Sequence, residues 1–538
     1  MSSNVEVFTR KASGLVRDMS PFSAFMYNVL AIGLIFPWVF LWGPSAFPGG
    51  SIPKGILIAT AIEIPIALTY VWMASAMPRS GGDYVFQSRI FSGGVGFTIV
   101  FSGYIIWILQ WVALAGWLMA VLGIAPLFLG LGAAMGSKSL ISFGLAAQSP
   151  TGVVTISILF SFLATLLLTR RFKNFVNIQY LLFWATLIAF GIMVIQFLRT
   201  TPEQFAVGIN RFAAIIDGTK GFYSGTIDGV AKAGWNVKPA FSWLATLGIA
   251  PIAWTGLQWA SYSVQQGGEI KGASVFKNQM FIIIGSLITS GLLLALLGWA
   301  EERAVGSPFL SAAAAGYYAR VGPGLGNINP FPNILAIGLT SSPIIIILIS
   351  LGYISNAFQV FCNCYIGMTR IIVAMSLDRV LPMWASKVSA KLHSPVNAHV
   401  AYFVASLFWI LAYNYVPNWA TYTLGVTFAG GYVFFVSTLA AALMPYRAKQ
   451  IYDASPGSRF TFAGIPLITI LGFLAAALCG GMTISFLIFP QFGLTGLVPY
   501  LLVFGIFAFT LIWYAVAKMR QSTKGIDISN AFREIPPE

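Results

Sequence analysis

The chain has 538 residues, 58% of them hydrophobic and only 8% charged, with a mean hydropathy of +0.82, whereas soluble domains carry roughly 25% charged residues. So few polar groups cannot cover a water-facing surface, which excludes an ordinary soluble fold. The 30 Lys and Arg against 15 Asp and Glu give a net charge of +15; basic residues flanking membrane spans explain this excess, so no nucleic-acid partner is expected.

A bilayer core about 30 Å thick takes roughly 20 apolar residues per helix. Twelve such segments follow one another, near 22–46, 54–76, 95–121, 151–169, 174–198, 241–266, 276–300, 333–373, 396–415, 419–444, 464–487 and 496–518. Their runs are continuously apolar, where the strands of a membrane barrel would alternate over about ten residues. The expected fold class is therefore all-α: a polytopic membrane protein of about 12 transmembrane helices, with a 5+5 inverted-repeat core plus two further helices.

In chain order, residues 1–21 form a polar tail with no apolar stretch ending in a cleavage site, so no removable signal peptide is expected. Span one carries Gly33, Pro37, Gly43 and Pro44, and span two carries Glu63. Spans three and eight exceed one crossing, which implies tilt, a re-entrant piece or an interfacial extension. The loop 200–240, with Gly218, Gly221, Gly225, Gly229 and Gly234, separates a first five-helix repeat (22–199) from a second (241–444). Helices 11 and 12 occupy 445–518 and a tail occupies 519–538. With the N-terminus inside, more than twice as many Lys and Arg fall on inner as on outer segments. Both termini are therefore expected to be cytoplasmic and the location the cell membrane.

Span six reads LGIAPIAWTGLQWASY, with Gly248, Pro251 and Gly256 as breakers. Glycine weakens a helix by about 1 kcal/mol and an interior proline by about 3 kcal/mol. Gly and Pro are also simply common in membrane helices. Breaks at Gly33 and at Pro251 to Gly256, facing each other, would free backbone groups that lipid cannot satisfy. Freed amides attract a carboxylate and freed carbonyls an ammonium, and a zwitterionic amino acid satisfies both.

Three separated segments then carry a likeness. Met77-Pro78-Arg79-Ser80-Gly81-Gly82-Asp83-Tyr84-Val85-Phe86 follows span two. Thr369-Arg370-Ile371-Ile372-Val373-Ala374-Met375-Ser376-Leu377-Asp378-Arg379-Val380-Leu381-Pro382, with Ser394-Pro395-Val396-Asn397-Ala398, follows span eight. Thr255-Gly256-Leu257-Gln258 and Gly268-Glu269-Ile270-Lys271 close span six. These resemble the P-R-S-G-G-D-Y-V loop, the S-R-x-x-x-A-M-A-R-D-G-x-L-P and T-P-V-N-A segments and the G-F-E and G-E-V-K pattern of the amino acid/polyamine/organocation (APC) superfamily of permeases. The resemblance covers nearly the whole chain and implies a secondary active transporter of amino acids or related small organic solutes, working by alternating access. A polyamine or other organic-cation carrier, or a solute-sensing receptor on the same scaffold, is the alternative. The chain departs from the family where span one usually reads G-S-G-I-F and here reads Ala31-Ile32-Gly33-Leu34-Ile35-Phe36. Gln258 stands where most relatives have Glu, and span five lacks the lysine of some members, so the coupling mode does not carry over.

The expected substrate contacts are Ile32, Gly33, Leu34, Trp254, Thr255, Gly256 and Gln258. Trp254 either lines the site or packs, and Gln258 either contacts substrate or replaces a structural carboxylate. Glu63 reads as the only acid deep inside a span, serving either proton coupling or a hydrogen bond between helices. Asn356, Gln359 and Asn363 either line the cavity or tie helices together. Asp83 is placed to cap the helix after the loop. Cys362, Cys364, Cys479, His393 and His399 form no metal-site pattern. Neither an enzyme's cluster of reactive side chains nor an ATP-binding loop is visible. The expected partners are thus a small-molecule substrate, a coupling ion (proton or sodium) and the lipid bilayer, with no cofactor, in a monomer or homodimer.

Overall fold

The computed structural model describes residues 14–34, 38–422, 425–492 and 496–533. In chain order its principal helices are α1 (Pro21–Ile32), α2 (Trp38–Ala46), α3 (Ile52–Ala76), α4 (Gly82–Ile90), α5 (Gly93–Met135), α6 (Lys138–Ala147), α7 (Pro150–Leu168), α8 (Phe172–Arg199), α9 (Pro202–Asp217) and α10 (Phe222–Lys232). They continue as α11 (Trp243–Leu257), α12 (Phe276–Val305), α13 (Ser307–Ala314), α14 (Pro332–Gly338), α15 (Pro343–Leu377), α16 (Val396–Tyr415), α17 (Gly425–Arg447), α18 (Leu467–Ile488) and α19 (Leu497–Ser522). One two-residue hairpin, Thr461–Phe462 with Ile465–Pro466, is the only sheet among the described residues. The protein is an all-α polytopic membrane protein.

Among the described residues, nine helices are long and apolar enough to cross a membrane: α3, α5, α7, α8, α12, α15, α16, α18 and α19. Each matches one expected span. Of the remaining three, 22–46 is split into α1 and α2, 241–266 is α11 followed by a 3-10 segment (Gln258–Gln265), and 419–444 is a short helix (Trp419–Tyr422) plus α17. Large side chains on the outer faces, such as Leu181, Val404 and Leu497, are exposed. That arrangement suits a lipid solvent, which removes the usual penalty on exposed apolar surface.

Several expectations need correction. Span three does not end near 121. It runs to Met135, interrupted by π-helical turns at Phe101–Ile106 and Leu118–Ile124. The stretch 333–373 is two helices, and Pro343 opens α15, where its missing N–H has no intrahelical partner to lose. The stretch 200–240 folds into α9 and α10, linked through the left-handed Gly218 and Gly221.

The two expected helix breaks differ. Ser20 caps α1, its hydroxyl accepting from Ser23 N–H at 3.1 Å, and Pro21 starts the first turn. The helix then stops at Ile32, because Gly33 adopts φ 80°, ψ 106°. Glycine takes this conformation without the penalty a Cβ would bring. Pro37 lies outside the described residues. Span six, in contrast, has no break between Pro251 and Gly256: α11 runs through both to Leu257 and only then tightens to 3-10 winding. Proline removes one donor from the ladder, and packing can hold the rest. Gly43 and Gly55 allow α2 and α3 to come up against Ile249, two residues before Pro251.

Both described chain ends lie at one end of the bundle. Met19 exchanges backbone bonds with 269–271 (3.0 and 2.8 Å), Gly81 N–H donates to Gln265 C=O at 2.9 Å, and Arg89 reaches Ala531 C=O at 3.4 Å.

Candidate functional site

The break in α1 opens on a partly enclosed cavity. Ala31, Ile32 and Gly33 line it at the end of α1, with Trp38 at the start of α2. Helix α5 contributes Ile108, Trp111 and Leu118, and the 3-10 segment contributes Trp259 and Tyr262. Asn356, Val360, Asn363 and Cys364 come from one face of α15. No charged side chain is among the described residues of the wall. The aromatic rings brace one another: Trp259 meets Tyr262 edge-on at 5.2 Å and Trp111 at 6.1 Å, and Tyr262 stacks on Tyr27 at 5.9 Å.

The polar groups behind this wall repair the helix end. Leu30 C=O has lost its partner in the next turn, and Asn356 Nδ2 donates to it at 3.1 Å. Asn28 donates to Ile282 C=O (3.3 Å), a carbonyl in the π-helical turn Met280–Gly285. Its oxygen accepts from Ser263 N–H at 2.9 Å. The side chain of Asn28 thus ties α1 to both irregular segments beside it. Gln179 donates to Ser23 C=O (2.7 Å) and accepts from Gln359 at 3.2 Å. Gln359 also donates to Asn363 Oδ1 at 2.8 Å. That bond orients the Asn363 amide and leaves its Nδ2 without an acceptor among the described residues. Trp111 Nε1 is in the same condition. Two buried N–H groups of the wall are therefore unmatched, which is costly unless something polar arrives.

The expected contact residues divide between two places. Ile32 and Gly33 line the cavity. Leu34 is buried beside the break and is not part of the wall. Trp254, Thr255, Gly256 and Gln258 are buried behind it. Thr255 Oγ1 donates to Ile252 C=O (2.8 Å), and Gln258 Nε2 donates to Thr255 C=O (3.2 Å) with its side chain against Gly430. Trp254 Nε1 donates to Glu63 Oε2 at 2.6 Å, while Glu63 Oε1 accepts from nothing among the described residues. Glu63 is fully buried, but it is not the only such acid. Glu301, near the end of α12, is also fully buried, and neither of its oxygens has a hydrogen-bond partner among the described residues. Span seven had been expected to end one residue earlier, which placed Glu301 outside it. Of the three amides, Asn356 and Gln359 tie helices together, the Asn363 side chain bonds only to Gln359 of its own helix among the described residues, and Asn356 and Asn363 line the cavity. The contributions of Trp38, Ile108 and Trp111 were not anticipated, because an isolated aromatic or aliphatic residue in an apolar run carries no signal. Asn28 carried one, as the lone amide in PFSAFMYNVLAI.

The family model described as "Amino acid permease" matches residues 22–511. The chain belongs to the amino acid permease family. No curated protein matches it. In this permease the three motif segments, far apart in sequence, meet in one buried layer at the end of the bundle where both described chain ends lie. Arg370 forms two parallel bonds with Glu269 (2.7 and 2.8 Å) and reaches His399 Nε2 at 3.2 Å. Arg89 pairs with Asp378 at 2.8 Å, and Tyr84 O–H donates to the same carboxylate at 2.8 Å. Asp83 does not act as a helix cap. Gly81 holds that position, and the Asp83 carboxylate accepts from Tyr70 (2.6 Å), Gln265 (2.5 Å) and Ser437 (2.5 Å). Burial pushes the Asp83 carboxyl above the usual carboxylate range, while the three donors oppose the shift. The layer joins α3, α4, the 3-10 segment, α15, α16 and α17.

Proposed function

We propose that the permease is a secondary active transporter that carries amino acids through the cavity at the α1 break by alternating access. The observation that carries this reading is the pairing of a helix end with unmatched donors. Ala31 and Ile32 line the cavity at the C-terminal, negative end of the α1 dipole, and their carbonyls suit an ammonium. Asn363 Nδ2 and Trp111 Nε1 suit a carboxylate. The substrate then meets the backbone around Ile32, Gly33 and Leu34. Trp254, Thr255, Gly256 and Gln258 act from behind the wall, setting the shape of the 3-10 segment that presents Trp259 and Tyr262. The repeats 22–199 and 241–444 are the halves that move, and the layer of Asp83, Arg89–Asp378 and Glu269–Arg370 closes one side. By the positive-inside balance that side is cytoplasmic and the membrane is the cell membrane.

Transport is proton-linked in this reading, with Glu63 the coupling group. It is buried, holds one oxygen free, and is bonded to the helix that leads into the 3-10 segment, so a change in its protonation acts on Trp254 directly. The test is counterflow of labelled amino acids in proteoliposomes. Saturable exchange is expected, and it is silenced by Gly33→Leu in protein that still reaches the membrane. A non-saturating flux, or full exchange by Gly33→Leu, would contradict the proposal.

A further inference from the structure

The make-up of the cavity wall narrows the substrate further, and this step rests on the function proposed above. We infer that the cavity selects neutral amino acids with a large apolar or aromatic side chain. Besides the α1 end and the uncharged Tyr262, Asn356, Asn363 and Cys364, the wall is built from Trp38, Ile108, Trp111, Leu118, Trp259 and Val360, three indole rings and three aliphatic chains. A lysine or arginine side chain entering it meets no carboxylate among the described wall residues, and an aspartate or glutamate meets no cation. An ionised group placed there gives up its hydration and gains nothing in return. Glu63 does not alter this, because it lies behind the wall with Trp254 Nε1 on one oxygen. A polyamine can place one ammonium at the α1 carbonyls, but its other ammonium fails for the same reason.

Size is argued from the rings. Trp111 stands at 77° to Trp259, and Trp259 at 84° to Tyr262. Edge-to-face packing holds each ring in place and leaves faces for a further ring or a branched chain. A small side chain would leave the wall atoms without partners across the cavity, forfeiting their dispersion contacts. The polar demand of the site is met by the α-ammonium and α-carboxylate at the helix break, so a polar side chain would add nothing.

The experiment is counterflow in proteoliposomes, with labelled leucine as tracer and unlabelled leucine, methionine, phenylalanine, alanine, lysine, glutamate and putrescine as competitors. Leucine, methionine and phenylalanine are expected to compete at concentrations about ten-fold or more below alanine, and lysine, glutamate and putrescine not at all. Competition by any charged solute equal to that of leucine, or no counterflow with leucine, overturns the inference. Two variants test the wall itself. Val360→Asp adds a carboxylate and is expected to weaken leucine about ten-fold while admitting lysine. Trp111→Ala, which removes bulk together with one N–H for the carboxylate, is expected to weaken every amino acid and in addition to erase the preference for phenylalanine over alanine. Selectivity unchanged in both variants overturns the inference. Gly33→Leu separates the two levels of argument. If it exchanges solutes with wild-type selectivity, the cavity is not the site and the proposed function falls with the inference. If it is silent while the wild-type panel favours charged solutes, only the substrate class falls.

Discussion

Asn356 and Glu63 show how single polar side chains hold an irregular helix inside a membrane. Asn356 satisfies the C=O of the fully buried Leu30. Replacing it with alanine leaves that carbonyl unpaired, a penalty of about 1–3 kcal/mol. Asn356→Ala should therefore lower the thermal unfolding midpoint of detergent-purified protein, and an unchanged midpoint would show that another group takes over. Glu63 calls for a subtler change. In Glu63→Gln the new amide oxygen can still accept from Trp254 Nε1, so the fold is kept and only the ability to lose a proton is removed. Accumulation driven by an inward proton gradient should be abolished while exchange continues. Accumulation at the wild-type level would make Glu63 structural, and Glu301→Gln would then be the next variant to measure.

At the scale of elements, the break in α1 was legible because glycine at a positive φ is a local property that the sequence states directly. The expected break in α11 was not, because Pro251 weakens a helix locally while the close approach of Gly43 and Gly55 to Ile249 restrains it from outside. The tightening that does occur starts at Gln258, beyond every breaker named from sequence. The π-helical turns were equally hidden, since no residue type marks them. The motif loops were recognisable as segments, but their convergence was not. Arg370 and Glu269 lie 101 residues apart, and only the fold brings them into a bidentate pair. Taking one partner away leaves a buried, uncompensated charge, so Arg370→Met alone should destabilise the protein by about 3–5 kcal/mol. The double variant Arg370→Met, Glu269→Leu removes both charges and should recover much of that loss. Thermal unfolding of the single and double variants decides the matter, and a double variant no more stable than the single one would contradict this account of the layer.

For the molecule as a whole, composition and charge placement were enough for the membrane class and the order of spans, because both follow from solvation rather than from packing. A cysteine introduced at the exposed Thr523 should react with an impermeant maleimide only after cells are permeabilised, since the three native cysteines are buried. Labelling in intact cells would invert the assigned topology. The central claim is that solute binds in the cavity at the α1 break, and the protein carries its own probe for it. Of the three cysteines only Cys364 lines that cavity. In a Cys362→Ser, Cys479→Ser background, the rate at which a small permeant thiosulfonate modifies Cys364 is measured with rising leucine. The account predicts protection that follows the same concentration dependence as exchange, and a modification rate unmoved by saturating leucine would contradict it.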